Sequence, residues 1–189
     1  MDEITLISPT LGYADRIADY RAEFPSDRMR VTYDPDRIPG LDYLEQYENV
    51  TDWLRFCDSM AGKISWYMSV RTSDGKVIGF ACLRHRLEYD DDDDEFASHI
   101  GYSVRPSEQG KGYGREQLRL MLTKAKELGL DRVRLICRDV NVGSNRVILE
   151  NGGVYLDTIY GEESGLRINR YDIFLSQSSE ILDAQSRKD

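Results

Sequence analysis

The chain has 189 residues, 40% hydrophobic and 31% charged, with a formal net charge of −9. That length accommodates a single domain with its own core. The negative charge argues against non-specific binding to nucleic acid or to an anionic membrane, and no stretch reaches the ~18 continuous apolar residues of a membrane span.

Ile4 to Ile7 reads as a short strand. Tyr13, Ile17, Tyr20 and Phe24 recur at helical spacing, which predicts a helix over about 11–24. Pro25, Pro35, Pro39 and Gly40 mark a loop, and Leu44 to Met60 reads as a second helical region broken near Asn49. The period then changes. Ile64–Val70 and Val77–Leu87 are rich in strand formers and flank the turn Ser73-Asp74-Gly75-Lys76, the signature of a hairpin. An acidic segment follows, and Phe96–Val104 is the next strand. A helix over 114–128 carries Leu118, Met121, Leu122 and Ala125 on one face and stops at Gly129. Val133, Leu135 and Cys137 alternate on a further strand. A short helix over 144–150 closes at Asn151-Gly152-Gly153, and two last strands cover 154–160 and 166–175. This order predicts an α/β fold of mixed type, with a mixed sheet of six to seven strands flanked by helices. It forms one domain over 1–176, with a polar flexible tail over 177–189.

The three cysteines, Cys57, Cys82 and Cys137, lie far apart in apolar runs, so buried free thiols fit better than a disulfide framework. There is no CxxC, HExxH or Cys/His cluster, so no metal is expected. Met1-Asp2-Glu3 lacks the basic and apolar regions of a signal peptide, and a cytoplasmic protein is the expectation.

The densest chemical signal is Gln109-Gly110-Lys111-Gly112-Tyr113-Gly114. Three glycines at alternate positions join a strand to a helix. Glycine allows close approach of the backbone to a ligand, and the helix start offers unpaired N–H groups and a positive dipole end, a setting for phosphate. A P-loop fails because Gly112 follows Lys111 where a hydroxyl is needed. A dinucleotide site has Asp139 at the end of the next strand in its favour, but the spacing is GxGxG, not GxGxxG. Simple helix capping needs one glycine, not three.

The same six residues resemble the Gln/Arg-x-x-Gly-x-Gly/Ala loop of the GNAT superfamily of acyl-CoA N-acyltransferases. The resemblance extends back through His99-Ile100-Gly101-Tyr102-Ser103-Val104-Arg105-Pro106, which is similar to that superfamily's fourth strand. It extends forward to Asn141-x-x-Ser144 and Asn151-Gly152-Gly153. It implies a GNAT-like fold in which strands 4 and 5 splay apart and their unpaired backbone bonds the pantetheine arm of coenzyme A. It implies acetyl-CoA as cosubstrate and transfer of its acetyl group to a primary amine by direct attack on the thioester. The N–H groups of Gly110, Gly112, Tyr113 and Gly114 would hold the pyrophosphate, with charge from Lys111 and Arg115 and further contacts from Val104, Gln109, Asn141 and Ser144. The oxyanion donor would be a backbone N–H near Val104. A dimer is implied on the same basis.

For the base, His99 occupies the position where relatives often carry glutamate, and an imidazole titrates in the useful range. A histidine that only hydrogen-bonds its neighbours is the competing reading. His85, between two arginines, reads as structural. For the acid, relatives often carry tyrosine where this chain has Ile148; Tyr155 and Tyr160 lie on the following strand but are not assigned. That departure keeps open a non-catalytic acyl-CoA-binding or sensing module. The acceptor is a small-molecule or peptide amine. Asp90–Asp94, between Glu88 and Glu95, would attract a cationic one or simply be solvated. Trp53, Trp66 and Tyr67 would line its pocket or pack in the core.

Overall fold

The computed structural model describes residues 1–24, 37–87, 96–162 and 165–175. The acidic run at 88–95 and the tail at 177–189 therefore lie outside the described residues.

Among the described residues, seven strands and four helices follow the expected order. The strands are β1 Ile4–Ile7, β2 Ile64–Arg71, β3 Val77–Arg84, β4 Ile100–Val104, β5 Arg132–Arg138, β6 Val154–Gly161 and β7 Leu166–Phe174. The helices are α1 Ala14–Ala22, α2 Val50–Ser59, α3 Tyr113–Glu127 and α4 Val142–Glu150. The expected helix over 11–24 is a single 3-10 turn at Leu11–Tyr13 running into α1. The break near Asn49 is a helix start: its side chain accepts the N–H of Asp52 at 2.9 Å and caps α2. The fourth strand is shorter than its β-rich run, beginning at Ile100 instead of Phe96.

Every paired neighbour is antiparallel, in two sheets ordered β1-β2-β3-β4 and β5-β7-β6. β3 explains the arrangement. Val77 to Leu83 are all buried, because α1 and α2 cover one face and α3 the other. A strand buried on both faces loses its alternation, as the run Val-Ile-Gly-Phe-Ala-Cys-Leu does. On one side Phe80 and Cys82 pack with Ile17, Tyr20, Trp53 and Trp66. On the other, Ala81 and Leu83 pack with Leu118, Met121 and Ala125 of α3, spaced three and four apart, and with Val133 and Leu135 of β5.

Among the described residues no ladder joins β4 to β5. The two sheets meet at the start of these strands, where the N–H of His99 donates to the carbonyl of Arg134 at 2.9 Å. Beyond that link the strands part, the splay that the resemblance implied.

Candidate functional site

The glycine loop hangs between two anchors. Before it, the end of β4 is fixed by Arg105, 4% exposed, whose guanidinium reaches Asp19 at 2.9 Å and Glu23 at 2.6 Å on the α1 side. Glu108 is also 4% exposed. Its carboxylate accepts from Lys76 at 2.8 Å, Lys111 at 2.9 Å and Arg71 at 3.3 Å. These bonds, with Lys76 and Lys111 the leading ones, hold its carboxyl down to about 2. After the loop, Tyr113 is buried at the start of α3. Between the anchors, Gly110 and Gly112 have φ of 74° and 88°, left-handed values that a side chain resists. Gly110, Lys111 and Gly112 are exposed, and Gly112 sits at the N-terminal cap of the 15-residue α3 with no side-chain cap on the helix. The first N–H groups of a long helix thus open to solvent beside two left-handed glycines, a geometry suited to an anion.

The structure sorts the other expected contacts. Gln109 turns back on its own strand, its amide donating to the Val104 carbonyl at 3.0 Å. Lys111 is engaged by Glu108, as above, and by the Ser107 carbonyl at 3.0 Å, whereas Arg115 is exposed in the first turn of α3. Across the gap, Asn141 caps α4 by accepting the Ser144 N–H at 3.0 Å. The Ser144 hydroxyl meets that of Tyr102, on β4, at 2.9 Å. This pair bridges β4 to α4 where β4 and β5 have parted. Burial raises the Tyr102 phenol well above its ordinary value, so it stays protonated across the neutral range.

His99 is placed otherwise than a free base requires. Its Nδ1 accepts the backbone N–H of Arg134 at 2.9 Å. An Nδ1 that accepts forces the neutral ring to carry its proton on Nε2, so neither nitrogen has a lone pair for an incoming proton. Burial, and then the charges of Arg132 and Arg134, lower its pKa to about 4. His99 belongs to the stitch between the sheets. His85 bonds the Ser65 hydroxyl at 2.9 Å. Ile148 is fully buried in the core. Trp53 and Trp66 are core residues, and Tyr155 and Tyr160 are exposed on β6.

A cavity of about 580 Å³ opens beside the β4–β5 gap, bounded by Gly101 of β4, Ile136 to Arg138 of β5, and the segment around Asp42. Neither His99 nor the loop 109–115 lines it. That segment lies close against the sheet: a Cβ on Gly40 would stand 2.5 Å from the Phe80 carbonyl oxygen. Asp42, 1% exposed, is held by Arg37 at 3.0 Å, by a short bond from Arg84 and by the Cys82 thiol at 3.0 Å. Burial alone would raise its pKa, but Arg84 and Arg37 outweigh burial and lower it. Sequence reading found neither Asp42 nor Glu108. Both depend on cations 32 to 42 positions away or on local turns that carry no motif. Cys57, Cys82 and Cys137 are buried free thiols. Among the described residues there is no cluster of His, Cys, Asp and Glu that could hold a metal, and no helix is long and apolar enough to cross a membrane.

Known structures share this architecture. One is the Salmonella typhimurium acetyl transferase that modifies the N-terminal serine of ribosomal protein L7/L12. It matches with a TM-score of 0.70 at 14% identity, over 92% of this chain and 95% of that one. The ribosomal-protein-S5-alanine acetyltransferase of Vibrio fischeri matches with a TM-score of 0.70 at 17% identity, over 94% and 96%. The microcin C7 self-immunity acetyltransferase MccE, solved with acetyl-CoA and AMP, matches with a TM-score of 0.67 at 18% identity, over 92% and 93%. At these identities the likeness is one of fold. No curated protein sequence matches the chain. Residues 5–154, however, match the acetyltransferase (GNAT) domain, covering the splayed strands, the glycine loop and the capped helix α4 together. The chain therefore belongs to the GNAT family and is an acetyltransferase of that family.

Proposed function

We propose that the chain transfers the acetyl group of acetyl-CoA to a primary amine by direct attack of the amine nitrogen on the thioester carbonyl. The observation that carries this reading is the parting of β4 and β5 beyond His99, with the exposed glycine loop at the end of β4 and the start of α3. The acetyl-CoA present in the MccE structure supports it. In this reading the N–H groups of Gly110, Gly112, Tyr113 and Gly114 bind the pyrophosphate. Arg115 adds charge, and Lys111 adds it on leaving Glu108. Asn141 and Ser144 bound the pantetheine arm from the α4 side, opposite Val104.

The chemistry asks for few side chains. The amine nitrogen forms a bond to the carbonyl carbon, and a backbone N–H near Val104 holds the oxygen as it becomes anionic. The C–S bond then breaks, the proton lost by the nitrogen passes to solvent, and the departing thiolate takes up a proton to leave as coenzyme A. In this reading the Tyr102–Ser144 hydroxyl pair, which spans the gap, offers an O–H to that thiolate. His99 acts here as a positioning residue that fixes where the strands separate. Incubation with acetyl-CoA and an amine panel tests the proposal. Amine-dependent release of coenzyme A with formation of the acetylated amine is expected. Acetyl-CoA binding without release for any amine would contradict it.

A further inference from the structure

We infer that Asn145 is a positioning residue for the acetyl transfer, setting where the start of α4 stands against the cosubstrate; this rests on the reading above, in which Asn141 and Ser144 bound the pantetheine arm. Asn145 is the fourth residue of α4, next to Ser144, and its half-buried side chain turns back on the connection from β5. The two hydrogens of its Nδ2 face three carbonyl oxygens, those of Asn141 at 2.8 Å, Arg138 at 2.9 Å and Asp139 at 3.3 Å. Its Oδ1 faces two donors on β7, the Tyr171 hydroxyl at 2.5 Å and the Asn169 Nδ2 at 2.9 Å. A reversed amide would set its oxygen against three carbonyls and its nitrogen against the Asn169 donor, so one orientation fits. One side chain thus ties the end of β5, the turn after it and β7 to the first turn of α4.

The place of these bonds separates positioning from simple packing. Arg134 turns its N–H and carbonyl towards His99, so β7 pairs with the edge of β5 away from the gap. Neighbouring residues of α4 therefore face opposite ways: Ser144 meets Tyr102 across the gap at 2.9 Å, and Asn145 reaches β7 behind it. Asn141, whose carbonyl Asn145 holds, in turn accepts the Ser144 N–H at 3.0 Å. The brace continues outward, since the Asn169 Oδ1 accepts the Thr158 hydroxyl of β6 at 2.6 Å. The body of α4 has other anchors: Ile148 is fully buried in the core, and the Asn151 amide donates to the Arg115 carbonyl at 3.2 Å. Loss of the Asn145 amide leaves the helix docked and frees its first turn, the part that carries Asn141 and Ser144. Misplacement by about 1 Å beside a reacting group is enough to cost up to about a hundredfold in rate.

The test compares wild type with Asn145→Ala and Asn145→Ser. Acetyl-CoA affinity is measured by calorimetry, kcat with the amine of the panel above that releases coenzyme A fastest, and the unfolding midpoint by thermal denaturation. In Asn145→Ser the hydroxyl can donate to the carbonyl four residues back, that of Asn141, and so keeps one of the bonds. Well below every unfolding midpoint, Asn145→Ala should weaken acetyl-CoA about tenfold and lower kcat about tenfold, and Asn145→Ser should lose only about threefold in each. A lowered midpoint with affinity and kcat unchanged would assign Asn145 to the fold alone and overturn the inference. Equal losses in the two variants would overturn it too, because the bond to the turn would then not carry the effect. If Asn145→Ala does not fold, Asn145→Ser carries the comparison; failure of both to fold would again assign the residue to the fold alone. Wild type that binds no acetyl-CoA, or that releases coenzyme A with no amine, would instead remove the reading beneath it.

Discussion

His99 and Arg134 are joined twice, the His99 N–H donating to the Arg134 carbonyl and the Arg134 N–H donating to His99 Nδ1, both at 2.9 Å. This double link stands where the two sheets meet, and the strands separate past it. An asparagine at this position can still present an acceptor oxygen, whereas phenylalanine cannot. His99→Asn should therefore keep kcat within about threefold of wild type, while His99→Phe should weaken acetyl-CoA binding and lower stability by about 1–3 kcal/mol through the orphaned N–H. A catalytic base would behave differently: both variants would lose roughly a hundredfold or more in kcat with cosubstrate binding unchanged. Steady-state kinetics with calorimetric acetyl-CoA affinities separate the two cases.

The same residue sets a pH dependence. His99 titrates near 4 in the folded chain against 6.5 for an unperturbed imidazole, chiefly through burial. Between those values the unfolded chain binds the extra proton, so stability is full above pH 6.5 and falls as the pH drops towards 4. Denaturant unfolding of wild type should lose stability across that window, and His99→Asn should lose roughly 1–3 kcal/mol less. Equal slopes for the two proteins would show that other groups carry the effect.

Glu108 ties the loop to the β2–β3 hairpin through Arg71 and Lys76. Removing it leaves Arg71 and Lys76 without their shared carboxylate and frees the residues before Gly110. We expect Glu108→Ala to weaken acetyl-CoA about tenfold while leaving kcat at saturation within threefold. An unchanged KM for acetyl-CoA would mean that the loop holds its shape without this anchor.

Tyr102→Phe deletes one hydroxyl of the pair across the β4–α4 gap. If that pair supplies the thiolate's proton, kcat should fall by about tenfold or more with little change in acetyl-CoA affinity. A fall in affinity with kcat preserved would assign the pair to shaping the gap instead.

The fold was legible wherever local pattern and tertiary need agree. The hairpin at Asp74-Gly75, the Leu118–Met121–Ala125 face and the glycine loop all appear at their expected places. What failed to show depends on long-range partners. His99 looked like a base because residue type and strand position were visible, while the Arg134 N–H that occupies its Nδ1, 35 positions away, was not. Trp53 and Trp66 could have lined a pocket, with the core the default for large aromatics, and they pack in the core with Phe80.

The account turns on where the cosubstrate lies, and amide hydrogen–deuterium exchange with and without saturating acetyl-CoA measures that directly. The account predicts slowed exchange at the amides of Gly110 to Arg115, near Val104 and at 141–144, with the exposed strand β6 unchanged. Saturation without protection at 110–115, or protection confined to segments outside β4, the glycine loop and α4, would contradict it.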